Sequence, residues 1–152
     1  MRFSPAQVRV IEMAIPSPST PPPAPRRRGT VVLLLAVVVT LGLASRLLFP
    51  GYPRLITKDA GDALWAIMFY LLVSLAGPRL AIAPVVAIAF AITAGIEFFK
   101  LHRAPWIDAV RDVKVMSFLL GRVFGWHNFI AYAIGTAAAV VIDLALLRNT
   151  RR

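Results

Sequence analysis

Apolar residues in this chain come in long unbroken blocks, without the alternation of a half-buried strand or the single stripe of a soluble helix. Thr30 to Ser45, continued by Leu47, Leu48 and Phe49 around Arg46, makes a run of about 20 residues, enough to cross roughly 30 Å of hydrocarbon as a helix. Leu80 to Phe99 and Asn128 to Leu147 are two more such runs. Ala63 to Ala76 is shorter, with Asp62 and Gly77 at its ends, and spans only where the bilayer thins or its neighbours shield it. The pattern predicts an all-α, polytopic membrane protein with four transmembrane helices. Between the third and fourth, Pro105 ends the extension of the third helix, and Asp108 with Arg111 and Asp112 at i+3 and i+4 predicts a short interfacial helix. Val115 to Phe124 is apolar but too short to span, and Gly121 and Arg122 interrupt it; it is expected at the membrane surface or dipping in partway.

Small residues recur every fourth position at Ala36, Thr40 and Ala44, at Ala87, Ala91 and Gly95, and at Gly135 and Ala139. Each set shares one helix face and is expected to form a packing seam where backbones approach closely. Pro84 lies in the first turns of the third helix, where a missing donor costs least. Residues 1–29 carry Pro16, Pro18, Pro21, Pro22, Pro23 and Pro25 and predict a flexible tail, with 30–148 as the membrane domain and 149–152 as a basic tail. Arg26-Arg27-Arg28 before an apolar run also resembles the start of a signal peptide, with Gly42-Leu43-Ala44 as the cleavage site. The length of the run and the three segments after it favour an uncleaved anchor.

Composition agrees: 59% of the residues are hydrophobic, outside the ordinary soluble range, and there is almost no amphipathic helix to cover them. The net charge of +10 sits at the ends of apolar segments, which suits anionic lipid head groups and excludes nucleic acid as a partner. With the N-terminus inside, nine Lys and Arg are cytoplasmic and eight outside. The Arg26–Arg28 cluster directly before the first helix breaks the near-tie and puts both termini in the cytoplasm of a bacterial inner membrane. Absence of cysteine removes disulfides, thiol catalysis and thiolate metal sites. His102 and His127 are far apart in sequence and better suited to interfacial hydrogen bonds than to a metal, so neither metal nor cofactor is expected.

Ionisable groups at membrane depth are costly and are carried for use or for mutual pairing. Asp59, Asp62 and Trp65 are spaced by three and share a face if the second helix starts near Asp59. Either Asp could cap that helix, but a cap explains one and not both. Trp65, Trp106 and Trp126 have an ordinary role as interfacial aromatics. Glu97 falls near the outer edge of the hydrocarbon, followed by Lys100 at i+3 and Arg103 at i+6; its bland reading is a Lys100 pair that solvates a helix end. Against this, Arg46, Asp62, Arg103, Asp108 and Arg111 fall at the same depth. Asp143, near the opposite face, is expected to snorkel beside Arg148 or to pair with Arg79.

The ordered blocks Arg46-Leu47-Leu48-Phe49-Pro50, Lys58-Asp59-Ala60-Gly61-Asp62-Ala63-Leu64-Trp65, Glu97-Phe98-Phe99-Lys100-Leu101, Ala104-Pro105-Trp106-Ile107-Asp108-Ala109-Val110-Arg111, Leu120-Gly121 with Phe124, and Ala131-Tyr132-Ala133-Ile134-Gly135 resemble a small bacterial membrane-protein family, the domain-of-unknown-function family numbered 2809, over about residues 44–136. That resemblance implies an architecture and no activity. More loosely, an acidic residue before a helix, a Glu at a helix end and an Arg and Asp segment are similar to VanZ-like membrane proteins, linked to glycopeptide tolerance at the envelope. Where those proteins commonly carry Gln three residues after the Glu, this chain has Lys100.

The leading expectation is a non-enzymatic protein with an outward-facing polar groove. In it Arg46, Arg103 and Arg111 engage an anionic envelope-lipid head group or lipid-linked cell-wall precursor, while Asp59, Asp62, Glu97 and Asp108, with Trp65 and Trp106, complete the site. Two other classes stay open: an intramembrane enzyme acting on a lipid phosphate, and an ion or proton pathway.

Overall fold

The computed structural model describes residues 23–47, 53, 58–113, 116 and 123–147. Every regular element among them is helical: α1 (Arg28–Leu47), α2 (Ala60–Ala76), α3 (Ile82–Phe99), α4 (Pro105–Asp112) and α5 (Asn128–Ile142), which runs on through a π turn, Asp143–Leu147. The long apolar runs thus become helices within two residues of their sequence limits, and the second gains three residues at its start. Pro105 does not stop α3, which already ends at Phe99; it takes the first position of α4, where its missing N–H has no partner to lose. Most of Val115 to Phe124 lies outside the described residues, as do 1–22.

Contacts fix which helix ends lie together. The segment before α1 meets the α2–α3 turn, with Arg26 N–H donating to the Pro78 carbonyl at 3.0 Å. Gly42 near the far end of α1 faces Leu64 near the start of α2. Lys58 before α2 reaches Asn128 at the start of α5, and Asn128 reaches Glu97 near the end of α3. The four long helices therefore run alternately up and down, with α4 beside the end where α3 stops.

The bundle is built around α2, which packs against α1, α3 and α5. Ile67, Met68, Tyr70 and Leu71 of α2 meet Val31 and Val38 of α1, Val85 and Ala89 of α3, and Ala139 of α5. This central place answers the difficulty of its length. Three other helices, Arg28–Ser45, Ile82–Phe99 and Asn128–Leu147, are long and apolar enough to cross a membrane, whereas Ala60–Ala76 falls short. Three longer helices thus pack against this shorter one.

Two of the three expected seams face outward. Ala36 and Thr40 of α1 and Ala87, Ala91 and Gly95 of α3 are exposed, while α3 buries Val85, Ala89, Thr93 and Glu97 instead. Small residues suit an outward face as well as a packed one, and the Thr40 hydroxyl donates to the Ala36 carbonyl at 2.8 Å. Satisfied within its own helix, it needs no partner across an interface. The third seam is real: Gly135 and Ala139 are buried, and a methyl added at Gly135 would overlap the backbone of Ala63.

Candidate functional site

Glu97 lies one turn before the end of α3 and is 0% exposed. Four donors converge on its two oxygens. Oε1 accepts from the Gly125 N–H at 2.7 Å and from Asn128 Nδ2 at 2.8 Å; Oε2 accepts from the Tyr132 hydroxyl at 2.7 Å and from the Lys100 ammonium. Local sequence explains the convergence. Lys100 is at i+3 on the same helix, and Asn128 and Tyr132 are at i and i+4 on the first turns of α5, so one face of α5 meets one face of α3. The network continues through Asn128 Oδ1, which accepts from Lys58 Nζ at 2.5 Å, and Lys58 also pairs with Asp62 at 3.0 Å. Glu97 and Asp62, predicted as site residues, are thus joined in one buried cluster. Its remaining members, Lys58, Lys100, Asn128 and Tyr132, do the joining.

Arg111, expected to engage an anionic head group, is turned to the protein instead. Arg111 is buried, and its guanidinium donates to the carbonyls of Phe99 at 2.9 Å and His102 at 3.0 Å, with Asp108 Oδ1 at 3.4 Å and the Phe99 ring beneath it at 5.3 Å. Those carbonyls end α3, so Arg111 caps that helix and ties α4 to it. Arg103 instead stays outside: its side chain is 62% exposed and 3.3 Å from Asp108. Trp106 is also exposed, and Trp65 stacks edge-to-face on Phe69 within the bundle. The side chain of Arg46 lies outside the described residues. Asp59 occupies the N-cap position of α2 without making a side-chain cap, and its Oδ1 is buried with no hydrogen-bond partner among the described residues.

At the other end of the bundle stands a second cluster. Asp143 is 0% exposed and is held bidentately by Arg26, Nε to Oδ1 at 2.8 Å and an η nitrogen to Oδ2 at 2.6 Å, with the Tyr70 hydroxyl donating at 2.7 Å. Arg26 also donates to the Leu80 carbonyl at 2.9 Å. Neither snorkelling nor Arg79 is needed; a fully buried carboxylate requires a fully buried cation, and Arg26 supplies it. Burial alone would loosen the proton of that guanidinium, but the hydrogen bond and charge of Asp143 outweigh it and hold the group above its ordinary range. In sequence Arg26 reads as flanking charge because prolines precede it. The usable signal was a lone acid, Asp143, inside an apolar run.

An all-helical protein with three helices able to cross a membrane, and polar clusters at both ends of the bundle, is the class these features define. The chain belongs to the family described as Protein of unknown function (DUF2809), which matches residues 52–136. No solved structure matches it. The Glu97 cluster falls wholly inside the matched segment, and the Arg26–Asp143 pair falls outside it.

Proposed function

We propose that this is a four-span protein of the bacterial cytoplasmic membrane, with both termini inside, whose outer end engages an anionic lipid head group or lipid-linked precursor without catalysing a reaction. One observation carries the reading: Arg103, on the connection between α3 and α4, exposes its guanidinium three residues before exposed Trp106. An indole and a guanidinium together suit the head-group layer, where one anchors and the other pairs with phosphate. The Arg103–Asp108 pair is solvent-exposed and worth about 0–1 kcal/mol, so a phosphate displaces it cheaply. Arg111 is committed to its carbonyls and acts as support. Lipids copurifying with the detergent-solubilised protein test this. Anionic phospholipid or precursor should be retained by the unaltered protein and lost from Arg103→Ala at unchanged melting temperature. Equal lipid content in the two would remove the reading.

A proton pathway is the second reading, favoured by the buried face of α5. Asn128, Tyr132, Thr136 and Asp143 follow one another along it from one cluster to the other, and Thr136 Oγ1 is buried with no hydrogen-bond partner among the described residues. Acidification of proteoliposomes that Thr136→Val abolishes would favour it over head-group binding.

A further inference from the structure

Beyond that reading, we infer that the wedge between α2 and α5 seats one chain of an aminophospholipid, with the lipid ammonium bound by Asp59. The wedge is a cleft of about 390 Å³, within the usual range for ligand sites. Ala60 and Ala63 of α2, Ile130, Ala131 and Ile134 of α5, and His127 just before α5 line it together with Asp59, and its walls are almost entirely apolar. It lies beside the place where Gly135 meets the Ala63 backbone. Ile130 and Ile134 are exposed on its rim, so the cleft opens toward the surface that faces hydrocarbon in a membrane.

Asp59 lines the same cleft. Its Oδ1 is removed from solvent and accepts no hydrogen bond from the described residues, an arrangement that leaves a desolvated acceptor in want of a donor. Helix capping does not use it. A ligand that fills this place needs a hydrocarbon body and a positively charged N–H donor at one end. Phosphatidylethanolamine has both. Phosphatidylglycerol brings an anion toward the Asp59 carboxylate, and phosphatidylcholine has a cation with no N–H to donate. Charge and donor count together therefore select the primary amine.

Thermal unfolding of the detergent-solubilised full chain, with added phosphatidylethanolamine, phosphatidylcholine or phosphatidylglycerol of matched chains, tests the assignment. For the unaltered protein the ethanolamine lipid should raise the midpoint by roughly 5 °C more than the other two. Asp59→Asn should lose that preference through the head, and Ala60→Leu, at an exposed wall position, should lose it by filling the cleft. Equal shifts for the three lipids overturn the inference, as does a preference that survives in either variant. Should Asp59→Asn fail to fold, the lipid comparison and Ala60→Leu still decide. Neither readout depends on Arg103, so head-group binding there can fail while this seat stands, and the reverse.

Discussion

A carboxylate that accepts from an ammonium, a phenol, a side-chain amide and a backbone N–H has its lone pairs spoken for, and Glu97 is in that position. Its role is to hold the ends of α3 and α5 together. Glu97→Ala leaves the nearly buried Lys100 without its counter-charge and should destabilise by about 3–5 kcal/mol, measured by thermal unfolding in detergent. Glu97→Gln should cost less, since it keeps an acceptor. A double-mutant cycle with Lys100→Ala should show strong coupling, the double variant losing less than the sum of the singles. A cycle of Glu97 with Arg111, whose guanidinium serves the Phe99 and His102 carbonyls, should come out near additive. Glu97 was visible in the sequence because an acid in an apolar run stands out. Asn128 and Tyr132 were not, because a polar residue opening a helix and a tyrosine one turn later look like ordinary membrane-edge residues.

Helices are the most legible level of this chain, since a block of about 20 apolar residues leaves few other solutions in a bilayer. Which face of each helix packs is far less legible. Spacing by four occurs on the outer faces of α1 and α3 as readily as on the inner face of α5, because small residues suit lipid contact and helix contact alike. The distinction is testable with one methyl. Gly135→Ala drives a carbon into the Ala63 backbone and should lower stability by about 1–3 kcal/mol. Gly95→Ala meets open space within a helix and should raise it by about 0.5–1 kcal/mol. Ala91→Leu, on the same outward face, should stay within about 0.5 kcal/mol of the unaltered protein. Melting temperatures of the three variants in detergent give the comparison.

For the whole molecule, the two polar clusters close opposite ends of the bundle, and the proposed orientation assigns each a side. The chain contains no cysteine, so single cysteines report cleanly. One at exposed Ala109, on α4, should react with an impermeant maleimide from outside intact cells, and one at exposed Ala81, in the α2–α3 turn, should react only after lysis. Labelling in the opposite sense would turn the Arg103 end toward the cytoplasm and withdraw the envelope-lipid reading with it. The charge count alone left this nearly balanced because Lys and Arg flank every helix end.

The Arg26–Asp143 clamp joins residues 117 positions apart, which sets a timetable for biogenesis. At a synthesis rate of about 5–20 residues per second, Arg26 waits roughly 6–23 s for its carboxylate to leave the ribosome. Tyr70 and the Leu80 carbonyl arrive earlier, yet neither offers a charge. Until α5 is made, the nascent protein carries an unneutralised guanidinium just before its first helix, a mark that separates chains without Asp143 from those that have it. Chains stopped short of Asp143, or carrying Asp143→Ala, should accordingly be cleared faster in a pulse-chase than full-length chains bearing a change at exposed Leu144. Equal half-lives would mean that completion of the clamp is invisible to membrane quality control.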